Sequence, residues 1–459
     1  MSVFESLRGI PARRQDGGPL RRLYHRLLSD RDAQTTRLAN DFLCQQLALA
    51  AEGDDGPWPE RTEDLPGRVE HNCANVAREY AHYLQGRKQG NPRRYFQGKA
   101  HALYFLQCVA PTKLVDGAWL YGVVEHWQDY RYDGLLTTYL EELGDGHPAQ
   151  NHVAIYHRLL AEEGCEGDFE WQDEQFRQGA IQLALGRCAA THMPEILGYN
   201  LGYEQLPLHL LISAYELNEL GVDPYYFSLH VTIDNASSGH ARRAAQAVSG
   251  LMPGGKDAAT YWERARRGYR LNDLGVGSTA AIEAFDLERE LLAMLERKRQ
   301  FGQHMHSDYC RIEGKSVNQW LAEPGQMKAF LQALQNKGWI RRHRSPEDSR
   351  FWQLIEGPGA AMFGVFSGFE KQLLHDWIAG DWHSEQRMAP RPLARPAAHN
   401  ALENLADDPE TGQLRDTLAH RSSEQQLALL LPWLAPHRHH RPAGLFATRR
   451  FIELRGCLR

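Results

Sequence analysis

The sequence lacks several features that would place it in a common class. Its seven cysteines include no CxxC pair, which argues against a zinc ribbon or a disulfide framework and for reduced thiols. It has no run of 18 apolar residues and no apolar N-terminal stretch, so neither a membrane span nor a signal peptide is expected. With 52 Lys and Arg against 58 Asp and Glu, the net charge is −6. Nucleic acid is therefore a poor partner, and a cytoplasmic location is expected.

Alternating strand patterns are also scarce, whereas apolar residues recur at helical spacing along most of the 459 residues. Hydrophobic residues make up 42% of the chain, which is enough for a sizeable core. The sequence therefore predicts an all-α protein built on a helical bundle with additional N- and C-terminal helical regions. We divide it into peripheral helices at 1–70, the bundle at 71–255, a helical extension at 256–385, and a linker with a basic, histidine-bearing tail at 386–459.

The strongest chemical signal is the segment that contains His230, Asp234 and His240. His230 and Asp234 are four residues apart, so on a helix they share one face. An imidazole and a carboxylate on one face form half of an iron or manganese site. The surrounding residues are apolar, and a charged pair there is costly unless it binds something. The alternative is a His–Asp hydrogen bond that bridges two helices.

Two further signals come from Glu142 with His152 and from Glu204. Glycines and a proline interrupt the helical pattern between Glu142 and His152, so one residue can end a helix and the other can begin the next. Glu204 lies in an otherwise apolar helix and needs a partner charge or a metal. Alternatives stay open, because Glu142 could be an exposed helix end, and Glu141 or Glu195 could replace one of these ligands.

Together these segments offer three carboxylates and three histidines from separate helices, which is the inventory of a carboxylate-bridged di-iron site. A ferritin-like site would show paired Glu-x-x-His motifs. The sequence contains no such motif, so that architecture is disfavoured.

The His-x-x-x-Asp segment followed by His-Ala resembles the haem-oxygenase-like di-iron oxidases, also called iron-containing redox enzymes. The resemblance extends over roughly residues 100–380. It is carried by further segments, namely Asp116-Gly-Ala-Trp-Leu, Glu142-Leu-Gly-Asp-Gly, Asn151-His152, Asp223-Pro-Tyr-Tyr-Phe, Ser349-Arg-Phe-Trp and Glu370–Trp377.

This resemblance implies a haem-oxygenase-like bundle, two Fe(II) ions per chain and an O₂-dependent oxidation of a small amino-acid-like or fatty-acid-like substrate. The outcome would be N-oxygenation, desaturation or C–C cleavage. An electron donor and a second copy of the chain, in a homodimer, are the further partners that the resemblance implies. A metal-free enzyme on the same scaffold, of the cofactor-biosynthetic or thiamin-salvage type, and a non-catalytic helical binding protein are the alternatives. The implied metal ligands are Glu142, His152, Glu204, His230, Asp234 and His240.

The spacing between Asp234 and His240 departs from the pattern of that family. The usual separation is three residues, and here it is six. On a straight helix Ser237 would share the face of His230, and His240 would point about 80° away. We therefore predict an irregular backbone between Asn235 and Gly239 that returns His240 to the metal.

Overall fold

The computed structural model describes residues 17–30, 32–53, 58–166, 169–233, 239–382 and 408–457. These residues are mostly α-helical, and the predicted all-α class is confirmed. The only sheet in these ranges is a two-stranded antiparallel hairpin, in which β1 (Arg311–Ile312) pairs with β2 (Lys315–Ser316). None of the described helices is both long and apolar enough to cross a lipid bilayer.

The helices of the first half of the chain include all those that meet at the site described below. They are α1 (Pro19–Ser29), α2 (Ala33–Ala51), α3 (Leu65–Lys88), α4 (Lys99–Lys113), α5 (Asp133–Glu142), α6 (His152–Glu162), α7 (Arg177–Arg187), α8 (Ala189–Tyr203), α9 (Leu208–Glu219), α10 (Tyr225–Ile233) and α11 (His240–Gly250).

The second half adds shorter helices around this assembly. They are α12 (Asp257–Arg270), α13 (Ser278–Glu283), α14 (Leu287–Gly302), α15 (Val317–Ala322), α16 (Met327–Asn336), α17 (Arg350–Glu356), α18 (Gly368–Ala379), α19 (Pro409–Leu418), α20 (Ser423–Leu430) and α21 (Pro442–Cys457).

Two hydrophobic clusters fill the interior. One joins α1, α2, α5, α7, α8 and α11 with the C-terminal helices α19, α20 and α21. The other joins α4, α6, α9 and α10 with α13 to α18. Helices α5, α8 and α11 contribute to the first cluster, whereas α6 and α10 contribute to the second. The polar residues described below come from both sets and therefore meet between the two clusters.

Both ends of the chain differ from the sequence-based division. The N-terminal helices are not peripheral, because Leu23 and Phe42 are fully buried in the first cluster. The expected basic tail is instead a set of three helices, and Phe451 is also fully buried there. Local periodicity could not show this packing, because each end contacts elements of the bundle that are distant from it in sequence. The predicted linker around 388–398 lies outside the described residues.

The segment that follows α4 is wound more tightly than an α-helix. It is a 3₁₀ helix, Ala118–His126, preceded by Gly117 with φ of +79°. This left-handed residue separates the 3₁₀ helix from Asp116, which is thereby left in a turn beside the bundle interior.

Candidate metal centre

Buried acidic and histidine side chains gather inside the bundle in two overlapping groups. Within each group the ligand atoms lie within 4.8 Å of one another, and every residue is buried. Glu142 is common to both groups. The first group comprises Asp116, Glu142, His152 and His230, and the second comprises Glu142, Glu204 and His240.

Five of the six ligands predicted from the sequence belong to these groups. They are Glu142 at the end of α5, His152 at the start of α6, Glu204 at the C-cap of α8, His230 in α10 and His240 at the start of α11. The sixth predicted ligand, Asp234, lies outside the described residues.

The chain reverses direction between Glu142 and His152. Three consecutive residues of this turn, Gly144, Asp145 and Gly146, have φ values of +63°, +50° and +79°. Such left-handed backbone is readily adopted by glycine and tolerated by aspartate. The turn brings His152 Nδ1 to 2.5 Å from Glu142 Oε2, as the glycine-rich break in the helical pattern predicted that it could.

Asp116 is a member of the first group that the sequence reasoning did not single out as a ligand. Its side chain is fully buried, and the hydroxyl groups of Tyr203 and Tyr226 donate to its two oxygens at 2.8 and 2.5 Å. Asp116 Oδ2 also lies 3.7 Å from His152 Nδ1 and 3.4 Å from His230 Nε2. A signal was available, because Asp116 is the only acidic residue between Glu79 and Glu125.

His230 shows why this arrangement calls for a cation. Its Nδ1 lies 2.8 Å from the carbonyl oxygen of Tyr226, and since a carbonyl only accepts, Nδ1 carries a proton. In the neutral ring Nε2 is then a bare lone pair. This atom is buried, faces the carboxylate of Asp116 and has no hydrogen-bond partner among the described residues. Two buried acceptors that face each other need a proton or a metal ion beside them.

When no metal is bound, a proton on His152 balances the charges of the neighbouring carboxylates. Burial lowers the pKa of His152, but the charges of Glu142 and Asp116 and their hydrogen bonds outweigh burial and raise the pKa to about 10. Burial likewise raises the pKa of Asp116, whereas Lys113, His152 and His230 together hold it well below 3.8. The pocket is therefore built for positive charge next to ionised carboxylates.

His240 faces carboxylates on both sides of its ring. Its neighbours show where Glu141 and Glu195, the two alternative ligands, lie relative to the site. Its Nδ1 lies 3.0 Å from Glu204 and 3.4 Å from Glu142, while its Nε2 lies 2.7 Å from Glu141. Glu141 also pairs with Arg243. It therefore lies on the side of the His240 ring that faces away from Glu204 and Glu142. Glu195 pairs with Arg264 at 2.6 Å and belongs to neither group.

The segment with the unusual spacing contains two helices instead of one. Helix α10 ends at Ile233, and α11 begins at His240 after Gly239, whose backbone is extended with φ of −84° and ψ of −165°. Residues 235–238, where we predicted the irregularity, lie outside the described residues. The interruption lets His240 face Glu204 and Glu142, although a straight helix would turn it away.

A helical bundle that encloses overlapping groups of carboxylate and imidazole ligands defines a class of all-α proteins with a potential metal site. Residues 103–273 match the family model described as iron-containing redox enzyme, and this range includes every residue of both groups. The match over these residues confirms the resemblance to that family and supports an oxidoreductase. The match does not include 274–380, so the resemblance there stays a prediction. No curated protein and no solved structure gives a significant match to the chain.

Proposed function

We propose that the protein is an O₂-dependent, non-haem di-iron oxidase or oxygenase. The observation that carries the proposal is the pair of buried ligand groups that share Glu142, because six side chains in two groups suffice for two ions. Carboxylate and imidazole donors without thiolate suit iron or manganese. Bound iron would supply the activation of O₂ and the redox equivalents.

The candidate ligands fall into two sets, one for each ion. Asp116, His152 and His230 are the candidate ligands on one side, Glu204 and His240 on the other, and Glu142 is available to both. Asp234 stays a predicted ligand.

The residues around the ligands would fix orientation and protonation. The hydroxyl groups of Tyr203 and Tyr226 hold both oxygens of Asp116, and the Tyr226 carbonyl holds the ring of His230. In the metal-free protein the proton on His152 Nδ1 lies between Glu142 and Asp116. A metal ion at this position would displace that proton, so binding should release acid. Because the ligands are buried, bulk water is kept away from the reacting groups.

The substrate class, the electron donor, the cytoplasmic location and a homodimer also stay predictions. A small amino-acid-like or fatty-acid-like substrate follows from the family resemblance. In a metal-free enzyme or a non-catalytic binding protein, a proton on His230 Nε2 would be enough to balance the carboxylate of Asp116. Such a protein would not need two overlapping groups of buried carboxylates and histidines, so the ligand set favours the metal-dependent alternative.

Iron content after anaerobic loading with Fe(II) tests the proposal. We expect about two ions per chain by metal analysis, with a Mössbauer spectrum of carboxylate-ligated iron. Helix α8 offers a matched pair of buried carboxylates: Glu204→Gln should lose bound iron, whereas Glu195→Gln, outside both groups, should retain it. Wild-type protein without stoichiometric iron, or with tightly held zinc alone, would contradict the proposal.

A further inference from the structure

The C-terminal helices touch the turn that joins Glu142 to His152, although they lie far outside the range that matches the family. Gly146 of this turn lies directly against α21, because a Cβ atom at Gly146 would stand 2.5 Å from the carbonyl oxygen of Leu445. One turn of helix before Glu142, the hydroxyl of Tyr139 donates to the carbonyl oxygen of Leu434. The C-terminal segment is therefore fixed to α5 and to the turn after it.

Asn151 connects the two ends of this turn. It is fully buried and caps α6, where its Oδ1 accepts the backbone N–H of Ala154 at 3.0 Å. Its Nδ2 donates to the carbonyl oxygen of Leu143, also at 3.0 Å. One side chain thus joins the residue after Glu142 to the first turn of the helix that begins with His152.

The remaining hydrogen bond of Asn151 is made with the C-terminal segment. Because Oδ1 is occupied by Ala154, the atom facing His439 is Nδ2, a donor, and it lies 3.0 Å from His439 Nδ1. His439 Nδ1 must then accept, so the ring is neutral there. Burial lowers the pKa of His439 well below its usual value, with His440 and His152 adding to the effect, and this favours the neutral form.

We infer that His439 is a positioning residue for the metal centre, contributed by the C-terminal segment. It would hold Asn151 in the orientation that sets the distance between Glu142 and His152. The inference rests on the proposed function insofar as these two residues bind metal. Removing a direct hydrogen-bond partner of a ligand typically changes metal affinity by roughly 10- to 100-fold. His439 acts through Asn151, so the lower end of that range is expected.

Two amide substitutions at His439 separate positioning from simple packing. In His439→Asn the amide oxygen takes the place of Nδ1 and can accept from Asn151. In His439→Gln the oxygen lies further out, near the place of Nε2, and cannot reach Asn151 in the same way. His157→Gln is the control, because His157 contacts the neighbouring His440 ring without bonding to Asn151.

The full chain is titrated anaerobically with Fe(II), and backbone amide exchange is measured over residues 143–151 without metal. We expect His439→Gln to bind Fe(II) roughly 10-fold more weakly and to exchange faster in this turn, while His439→Asn and His157→Gln stay near wild type. If His439→Gln matches the wild type in both measurements, the inference is wrong. Wild-type protein that binds no Fe(II) would refute the proposed function, and the exchange contrast between the Asn and Gln variants would still decide whether His439 positions the turn.

Discussion

A methyl group at position 117 should press directly on Glu142, the residue shared by both ligand groups. Gly117 has φ of +79° and follows Asp116. A Cβ atom built there would lie 2.9 Å from Glu142 Cβ and 3.3 Å from Glu142 Cγ, closer than ordinary van der Waals contact. The substitution Gly117→Ala therefore perturbs Glu142 without removing any ligand.

The structure gives the size of the effect. Left-handed backbone costs an alanine about 1–2 kcal/mol, and an added methyl group in a packed interior costs about 1–3 kcal/mol more. To restore an ordinary contact Glu142 must shift by roughly 0.5 Å, which is the limit of the tolerance for a preorganised site. We therefore expect Gly117→Ala to bind Fe(II) roughly 10- to 100-fold more weakly than the wild type.

Gly338→Ala provides the matched control. Gly338 has φ of +75°, so alanine incurs the same backbone penalty, but a Cβ atom there meets nothing within 4 Å. This residue follows α16, a helix that contributes no ligand to either group. The control should lose about 1–2 kcal/mol of stability and keep wild-type metal affinity.

Urea unfolding of the metal-free proteins and anaerobic Fe(II) titration by calorimetry measure the two quantities separately. Wild-type affinity in Gly117→Ala would show that Glu142 is not a ligand whose position matters, and the reasoning would fail. Equal loss of affinity in Gly338→Ala would trace the effect to general destabilisation and would refute the local explanation.

Two further predictions concern the ligands and the C-terminal helices. His230→Ala and Asp234→Ala should each abolish O₂ consumption and leave the helical circular dichroism unchanged; wild-type iron content in either variant would count against its role as a ligand. Burial, with His157 and Arg441, lowers the pKa of His440 to about 4. Below pH about 6.5 the unfolded chain therefore binds a proton that the folded chain cannot, so stability should fall by up to about 1.4 kcal/mol per pH unit until pH nears 4. Other buried histidines with lowered pKa values, such as His209 and His439, add slopes of the same sign. His440→Gln should therefore reduce the slope in urea unfolding between pH 7 and 5 by this amount, and an unchanged slope would contradict the assignment.

The parts of the site that the sequence could predict are those encoded by nearby residues. Glu142 and His152 were paired because glycines interrupt the helical pattern between them, and the left-handed turn through Gly144 and Gly146 brings them together. His230 stood out as a histidine among apolar residues on a helix. In each case a short stretch of sequence carries both the residue type and the backbone signal that directs it inward.

The sequence does not indicate Asp116 as a candidate ligand, and the reason is physical. It lies in a turn between α4 and a 3₁₀ helix, where no helical periodicity relates it to a partner. Its proximity to His152 and His230 arises from the packing of this turn against α6 and α10. Asp116 is the single acid in the mostly apolar stretch 100–124, and this is a usable signal, because such a carboxylate is buried only at a cost that a partner must offset.

The C-terminal segment shows where composition misleads. A basic run with His437, His439 and His440 is typical of a tail, and composition alone predicts one here. The segment also carries Leu434 and Phe451, both of which are fully buried. Those residues dock the segment on the bundle, and docking places His439 against Asn151 across 288 positions of sequence. Because no local pattern spans that distance, the contact of a remote histidine with the turn between two candidate ligands can be found only once the tertiary contacts are known. The contacts around the candidate site therefore extend beyond the residues that match the family.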